Sequence, residues 1–129
     1  MKILVIEDSN TLRYIIVKLL KELHYKEITA VESAEVAMPL LGIETYDLLL
    51  LDWKLPQISG IDLLKMIRAN PKTASMKVIM VTTVHERKHI LQAVKVGIQG
   101  YIIKPIDAKV LGKKLEEIEI IPDDQNSDN

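Results

Sequence analysis

Residues 48–53 read Leu48-Leu49-Leu50-Leu51-Asp52-Trp53: four leucines run without polar alternation straight into a carboxylate. Such a short, uniformly apolar run suits a strand buried on both faces, as in a parallel sheet covered by helices, and not a hairpin strand with one wet side. Working outward, four more apolar runs occur at residues 3–6, 28–31, 78–81 and 101–103. Segments with helical spacing lie between and after them. Leu12, Ile15, Ile16, Leu19, Leu20 and Leu23 form an i, i+3, i+4, i+7 stripe. A second helix is expected after Ser33, with Pro39 disturbing it, and a third over 61–69, ahead of Asn70-Pro71. A fourth is expected over 86–96, stopped by Gly97, and a fifth after Asp107. Strand and helix alternate, no repeat appears and connections are short. The expected fold is therefore α/β: a doubly wound, five-stranded parallel sheet in a three-layer α/β/α arrangement.

At 129 residues and 14.6 kDa, the chain has room for one domain of ordinary size. Hydrophobic residues make up 48% and charged residues 27%, which fits a chain with a packed core. Phe is absent and aromatics reach only 4%, so aliphatic side chains and Met must fill that core. Seventeen Lys and Arg face eighteen Asp and Glu, and this near balance argues against a nonspecific nucleic-acid binder. The lack of Cys removes disulfides, thiolate metal sites and thiol catalysis. With no signal-peptide core and no long apolar run, a cytoplasmic chain without membrane association is expected. Residues 1–120 form the expected domain. Residues 121–129 are polar and acidic and are expected to be a disordered tail, or the start of a linker in a longer regulator.

In an open α/β sheet, ligands bind beyond the carboxyl ends of the strands. Those ends carry Glu7-Asp8, Asp52, Thr82-Thr83 and Lys104-Pro105. Gathered carboxylates repel unless something compensates them, and with no His or Cys among them a hard divalent ion such as Mg²⁺ is favoured. A metal, a hydroxyl and an ammonium around one carboxylate suit phosphoryl transfer, with Asp52 as nucleophile. Each residue alone also has a purely structural reading. Asp8 can cap the first long helix, Thr82 can cap the fourth, and Lys104 can simply pair with an acid. Their coincidence at the strand ends favours a site.

Glu7-Asp8, Asp52 with Pro56 and Gly60, Thr82-Thr83 and Lys104-Pro105 together resemble the receiver domain of bacterial two-component response regulators. The resemblance covers roughly residues 1–120, and its details are most similar to stand-alone chemotaxis receivers. It implies the flavodoxin-like strand order 2-1-3-4-5. It further implies Asp52 as phosphoacceptor and Glu7, Asp8, Asp52 and the Lys54 carbonyl as the Mg²⁺ set. Thr82 and Lys104 would contact the phosphoryl oxygens, Thr82 and Tyr101 would form the switch, and the bond before Pro105 would be cis. Arg87, Ile90, Val94, Tyr101 and Lys114 would lie on the face that partners read. The implied partners are a histidine kinase or phosphotransfer protein and a downstream protein such as the flagellar motor switch, with the receiver acting as a monomer or weak dimer. It would not be a turnover enzyme, catalysing only its own phosphorylation and dephosphorylation. Three positions depart from the common pattern: Thr83 is larger than the usual residue, while Lys54 and Val84 line the approach of water to the acyl phosphate.

Three other readings compete. The chain could be a phosphorelay intermediate, or a receiver-like interaction module that never accepts phosphate, although the intact acidic set opposes the latter. The third is a zinc metalloprotease, because residues 85–89, His85-Glu86-Arg87-Lys88-His89, match H-E-x-x-H. Two adjacent cations and the lack of an evident third ligand oppose it.

Overall fold

Leu48–Leu51 forms the central strand β3, with all four side chains at most 1% exposed, in a computed structural model that describes residues 1–123. On either side lie β1 (Lys2–Ile6) and β4 (Lys77–Thr82), and the edges are β2 (Glu27–Val31) and β5 (Gly100–Ile103). Every neighbouring pair is parallel, and the order is β2-β1-β3-β4-β5. The expected fold is the observed one. β2 shows what an edge position costs in burial: of its five residues only Val31 is buried.

The helices are α1 (Asn10–Glu22), α2 (Ala34–Ile43), α3 (Gly60–Ala69), α4 (Arg87–Val96) and α5 (Ala108–Glu117). Strand periodicity divides the core into two. Leu4, Ile6, Leu49, Leu51, Val78 and Met80 point to one face and pack with Ala34, Ala37, Leu41, Leu63, Leu64, Ile67 and Ala93 of α2, α3 and α4. Ile3, Val5, Leu48, Leu50, Ile79 and Val81 point to the other and pack with Ile16, Leu20, Leu111 and Leu115 of α1 and α5. This is why the inner strands need apolar residues at every position.

The helix starts are chemically marked. Ser9 accepts from the Leu12 amide at 3.2 Å, Ser33 from Val36 at 3.2 Å, Ser59 from Asp62 at 3.2 Å and Asp107 from Val110 at 2.8 Å. Glu86 at the start of α4 makes no side-chain cap bond. Pro39 sits inside α2 without ending it. Among the described residues no helix is long and apolar enough to cross a membrane.

The described chain continues past residue 120 with defined contacts. Asp123 accepts from the Met1 ammonium at 2.6 Å and from the Lys26 amide at 2.8 Å, and its own amide donates to the His24 carbonyl at 3.0 Å. The chain is therefore fastened through residue 123; the rest of the expected tail lies outside the described residues.

Candidate active site

Backbone pairing continues just past the strands and sets the site residues level with one another. The Glu7 amide donates to Val31 O at 3.0 Å, the Asp52 amide to Ile6 O at 3.1 Å and the Lys104 amide to Thr82 O at 2.9 Å. Glu7, Asp8 and Asp52 each place a carboxylate oxygen within 4.8 Å of the others. Glu7 and Asp52 are buried, while Asp8 is exposed at the mouth. Lys104 reaches between the buried pair, with Nζ donating to Glu7 Oε1 and, at 2.9 Å, to Asp52 Oδ2. The Lys54 amide donates to Asp52 Oδ1 at 3.1 Å. Both oxygens of Asp52 are thus held, and its carboxylate faces the other acids.

Three carboxylates and one ammonium leave two negative charges in a largely buried space. Burial is the chief reason the Glu7 carboxyl is pushed above its ordinary value; Asp52 adds to the rise, while Lys104 and the Ser9 amide oppose it. Burial disfavours the Lys104 ammonium, yet its bonds to Glu7 and Asp52 prevail and hold it above the ordinary lysine value. Both directions express one demand, for more positive charge. A divalent ion with oxygen preference meets it, and the donor set of hard carboxylates suits Mg²⁺.

The structural alternatives for Asp8 and Thr82 fall away, while Lys104 does pair with acids, the two that form the buried part of the site. Ser9, not Asp8, caps α1, which leaves the Asp8 carboxylate beside the cluster. Thr82 does not cap α4: its buried hydroxyl accepts from the Val84 amide at 3.3 Å. Tyr101 donates its hydroxyl to the Val84 carbonyl at 2.5 Å. The two sides of Val84 therefore join Thr82 to Tyr101, a link that sequence reading missed because an apolar residue contributes it through its backbone. Burial pushes the Tyr101 phenol up to about 12, with Glu86 and Asp52 adding to the rise, so it stays a donor at neutral pH.

Of the other neighbours, Arg13 carries no clear sequence signal, whereas Gly60 and Pro105 are among the residues that carry the family resemblance. Arg13 on α1 donates to the Glu7 carbonyl at 2.8 Å, bracing the acidic turn from below. Gly60 opens α3 so tightly against the Asp52 loop that an added Cβ would meet the Asp52 carbonyl at 2.0 Å. The Lys104–Pro105 bond is cis.

Arg87, Ile90 and Val94 lie on α4, Tyr101 on β5 and Lys114 on α5. Arg87 and Val94 are exposed, and Lys114 lies over Gly100 and pairs with Glu117 at 3.1 Å.

The histidine pair does not form a zinc site. His85 precedes α4, its Nδ1 3.0 Å from the Thr83 carbonyl, whereas His89 stands on the helix with its ring against Trp53. Since α4 begins only at Arg87, the H-E-x-x-H spacing never becomes two ligands on one helical face, and the protease reading is dropped. Among the described residues, the acidic trio is the group of His, Asp and Glu arranged to hold a metal.

A model of the response regulator receiver domain matches residues 3–116. The chain belongs to this family. The receiver is similar to chemotaxis protein CheY of Pseudomonas aeruginosa, at 38% identity over 92% of this chain and 95% of that protein. It is also similar to chemotaxis protein CheY-3 of Vibrio cholerae, at 37% identity over 92% of this chain and 91% of that protein. In fold it matches CheY4 of Vibrio cholerae with a TM-score of 0.83 at 22% identity, covering 91% of this chain and 97% of that one. The receiver domain of a Pseudomonas aeruginosa sensor histidine kinase, which has a magnesium ion coordinated in its active site cleft, matches with a TM-score of 0.81 at 25% identity, covering 90% and 94%. The receiver is thus a module of two-component signalling, and its relatives suggest chemotaxis.

Proposed function

We propose that Asp52 accepts a phosphoryl group from the phosphohistidine of a histidine kinase or phosphotransfer protein. The observation that carries this reading is the buried Asp52 carboxylate, tied to Lys104 and set within reach of Glu7 and Asp8. A carboxylate oxygen of Asp52 attacks phosphorus, the phosphorus–nitrogen bond of the donor breaks, and the imidazole leaves with its electron pair, taking a proton from solvent. Lys104 and Thr82 stand where negative charge builds on the equatorial phosphoryl oxygens. Glu7, Asp8, Asp52 and the Lys54 carbonyl would hold Mg²⁺, which supplies charge neutralisation and orientation when bound.

Once on Asp52, the phosphoryl group accepts the Thr82 hydroxyl hydrogen and draws the side chain away from the Val84 amide that donates to its oxygen. A shift of Thr82 alters Val84 and with it the hydrogen bond that seats Tyr101. The face of α4, β5 and α5, marked by Arg87, Ile90, Val94, Tyr101 and Lys114, is then read by a second protein. Names of the relatives favour a chemotaxis output; the target in this reading is a flagellar motor switch, in the cytoplasm, with residues 1–120 acting as a monomer or weak dimer. The chain acts on itself, catalysing its own phosphorylation and dephosphorylation without turnover of a separate substrate.

Incubation with acetyl phosphate and Mg²⁺ tests this directly. The expected result is a mass gain of one phosphoryl group, stable in acid and labile in base, which is lost in Asp52→Asn and without the metal. No gain in the wild type overturns the proposal.

A further inference from the structure

We infer that His89 is a positioning residue that carries the state of the Asp52 loop into α4 through Trp53. The inference rests on Asp52 as phosphoacceptor and adds a route separate from Thr82, Val84 and Tyr101. Trp53 directly follows Asp52, and its carbonyl accepts the Gly60 amide at 2.8 Å, so its place is set with the phosphoacceptor turn. The indole ring meets the imidazole of His89 in an edge arrangement, with centroids 5.2 Å apart and planes at 73°. His89 lies in the first turn of α4. Its Nδ1 is buried and makes no hydrogen bond; the Glu86 carboxylate stands at 3.5 Å. A buried nitrogen without a hydrogen bond is unfavourable, so packing against Trp53 helps to seat this ring beside the Glu86 carboxylate.

The two ends of α4 differ in how they are held. At the far end Arg68 Nε donates to the Gly97 carbonyl at 2.9 Å, and the same guanidinium donates to Ala74 O at 3.0 Å, Met76 O at 2.7 Å and Gln99 Oε1 at 3.4 Å. This clamp fixes the helix end to α3 and to the loop at residues 74–76. At the near end the cap residue Glu86 makes no side-chain cap hydrogen bond, and its carboxylate stands 3.5 Å from His89 Nδ1. A displacement of Trp53 is therefore taken up by the first turn of α4, which moves against a fixed last turn.

Hydrogen exchange of the full chain, with and without acetyl phosphate and Mg²⁺, tests the idea. In the wild type, one phosphoryl gain should accompany a change of about threefold or more in exchange over residues 87–91, with a smaller change over 93–97. His89→Ala should keep the phosphoryl gain and lose most of the first-turn response, while His89→Phe, which retains a ring against Trp53, should restore it. An unchanged response in His89→Ala, or no restoration by His89→Phe, overturns the coupling alone. Should His89→Ala not fold, His89→Leu against His89→Phe makes the same comparison: a response that needs the ring supports the inference, and equal responses overturn it. No phosphoryl gain in the wild type overturns the phosphoacceptor reading and this inference together.

Discussion

Like Glu7 beside it, Asp52 has one carboxylate oxygen on an ammonium and the other on an amide, here at the carboxyl end of the central strand. Its neighbour Lys54 gives the amide while its side chain stays exposed at the rim, where it can screen the phosphoryl group from attacking water. Lys54→Asn should therefore shorten the lifetime of the aspartyl phosphate about three- to tenfold, roughly 0.6–1.4 kcal/mol of barrier, as followed by phosphate release. Unchanged or slower decay would count against the screening role. The raised Glu7 carboxyl sets a pH dependence. A carboxyl whose folded value is raised stabilises the fold fully below its ordinary value of 4.5, and that contribution is lost as pH rises through the folded value. Metal and proton compete for the same charge deficit, so Mg²⁺ affinity should weaken as pH falls toward that raised value, and Glu7→Gln should flatten the dependence. Emission of Trp53, the sole tryptophan and a neighbour of Asp52, reports both titrations. The acids, Thr82 and Lys104 were legible in the sequence because each ends a strand. Arg13, Val84 and the Trp53–His89 contact were not, since their roles depend on backbone atoms or on packing between distant elements.

The elements are legible mainly from their apolar runs and helical spacing, and the structure adds the caps. Serines 9, 33 and 59 and Asp107 cap helices that begin within a residue or two of their expected starts. β2 is harder to place in the sheet, because five short apolar runs look alike until their pairing distinguishes centre from edge. Two breaker residues behave differently from each other. Pro39, exposed in α2, cannot donate to the Glu35 carbonyl one turn earlier, yet packing of Ala34, Ala37 and Leu41 keeps the helix intact. Pro39→Ala should therefore stabilise the protein, by roughly 1–3 kcal/mol in urea unfolding. Gly60 has no such tolerance. Since a Cβ there would stand 2.0 Å from the Asp52 carbonyl, α3 and the phosphoacceptor turn must separate in Gly60→Ala. That variant should lose about 1–3 kcal/mol and bind Mg²⁺ more weakly, seen by urea unfolding and Trp53 emission.

Across the whole molecule, the two ends of the sheet do different jobs. One carries the acidic pocket; at the other Asp123 joins the starts of β1 and β2 through Met1 and Lys26. The bond to Asp123 raises the Met1 ammonium above its ordinary value of 8.0. Burial is the largest single influence on the Asp123 carboxyl and raises it, yet the bonds from Met1 and Lys26 together outweigh it and hold the carboxyl below its ordinary value of 3.8. The ammonium's contribution to stability is full below 8.0 and is lost as pH rises through its raised value. The carboxylate's is full above 3.8 and is lost as pH falls through its lowered value. Asp123→Ala should cost about 1 kcal/mol near neutral pH, read as a lower melting temperature, with little effect on phosphoryl gain. This fastening was not legible: residues 122–129 look uniformly polar, and only the fold brings one of their aspartates beside the amino terminus. It has a practical consequence. Because the described chain finishes on the side of the sheet remote from the acids, anchoring the protein to a bead or sensor chip through its carboxyl end should leave the phosphate-accepting pocket open to a docking kinase.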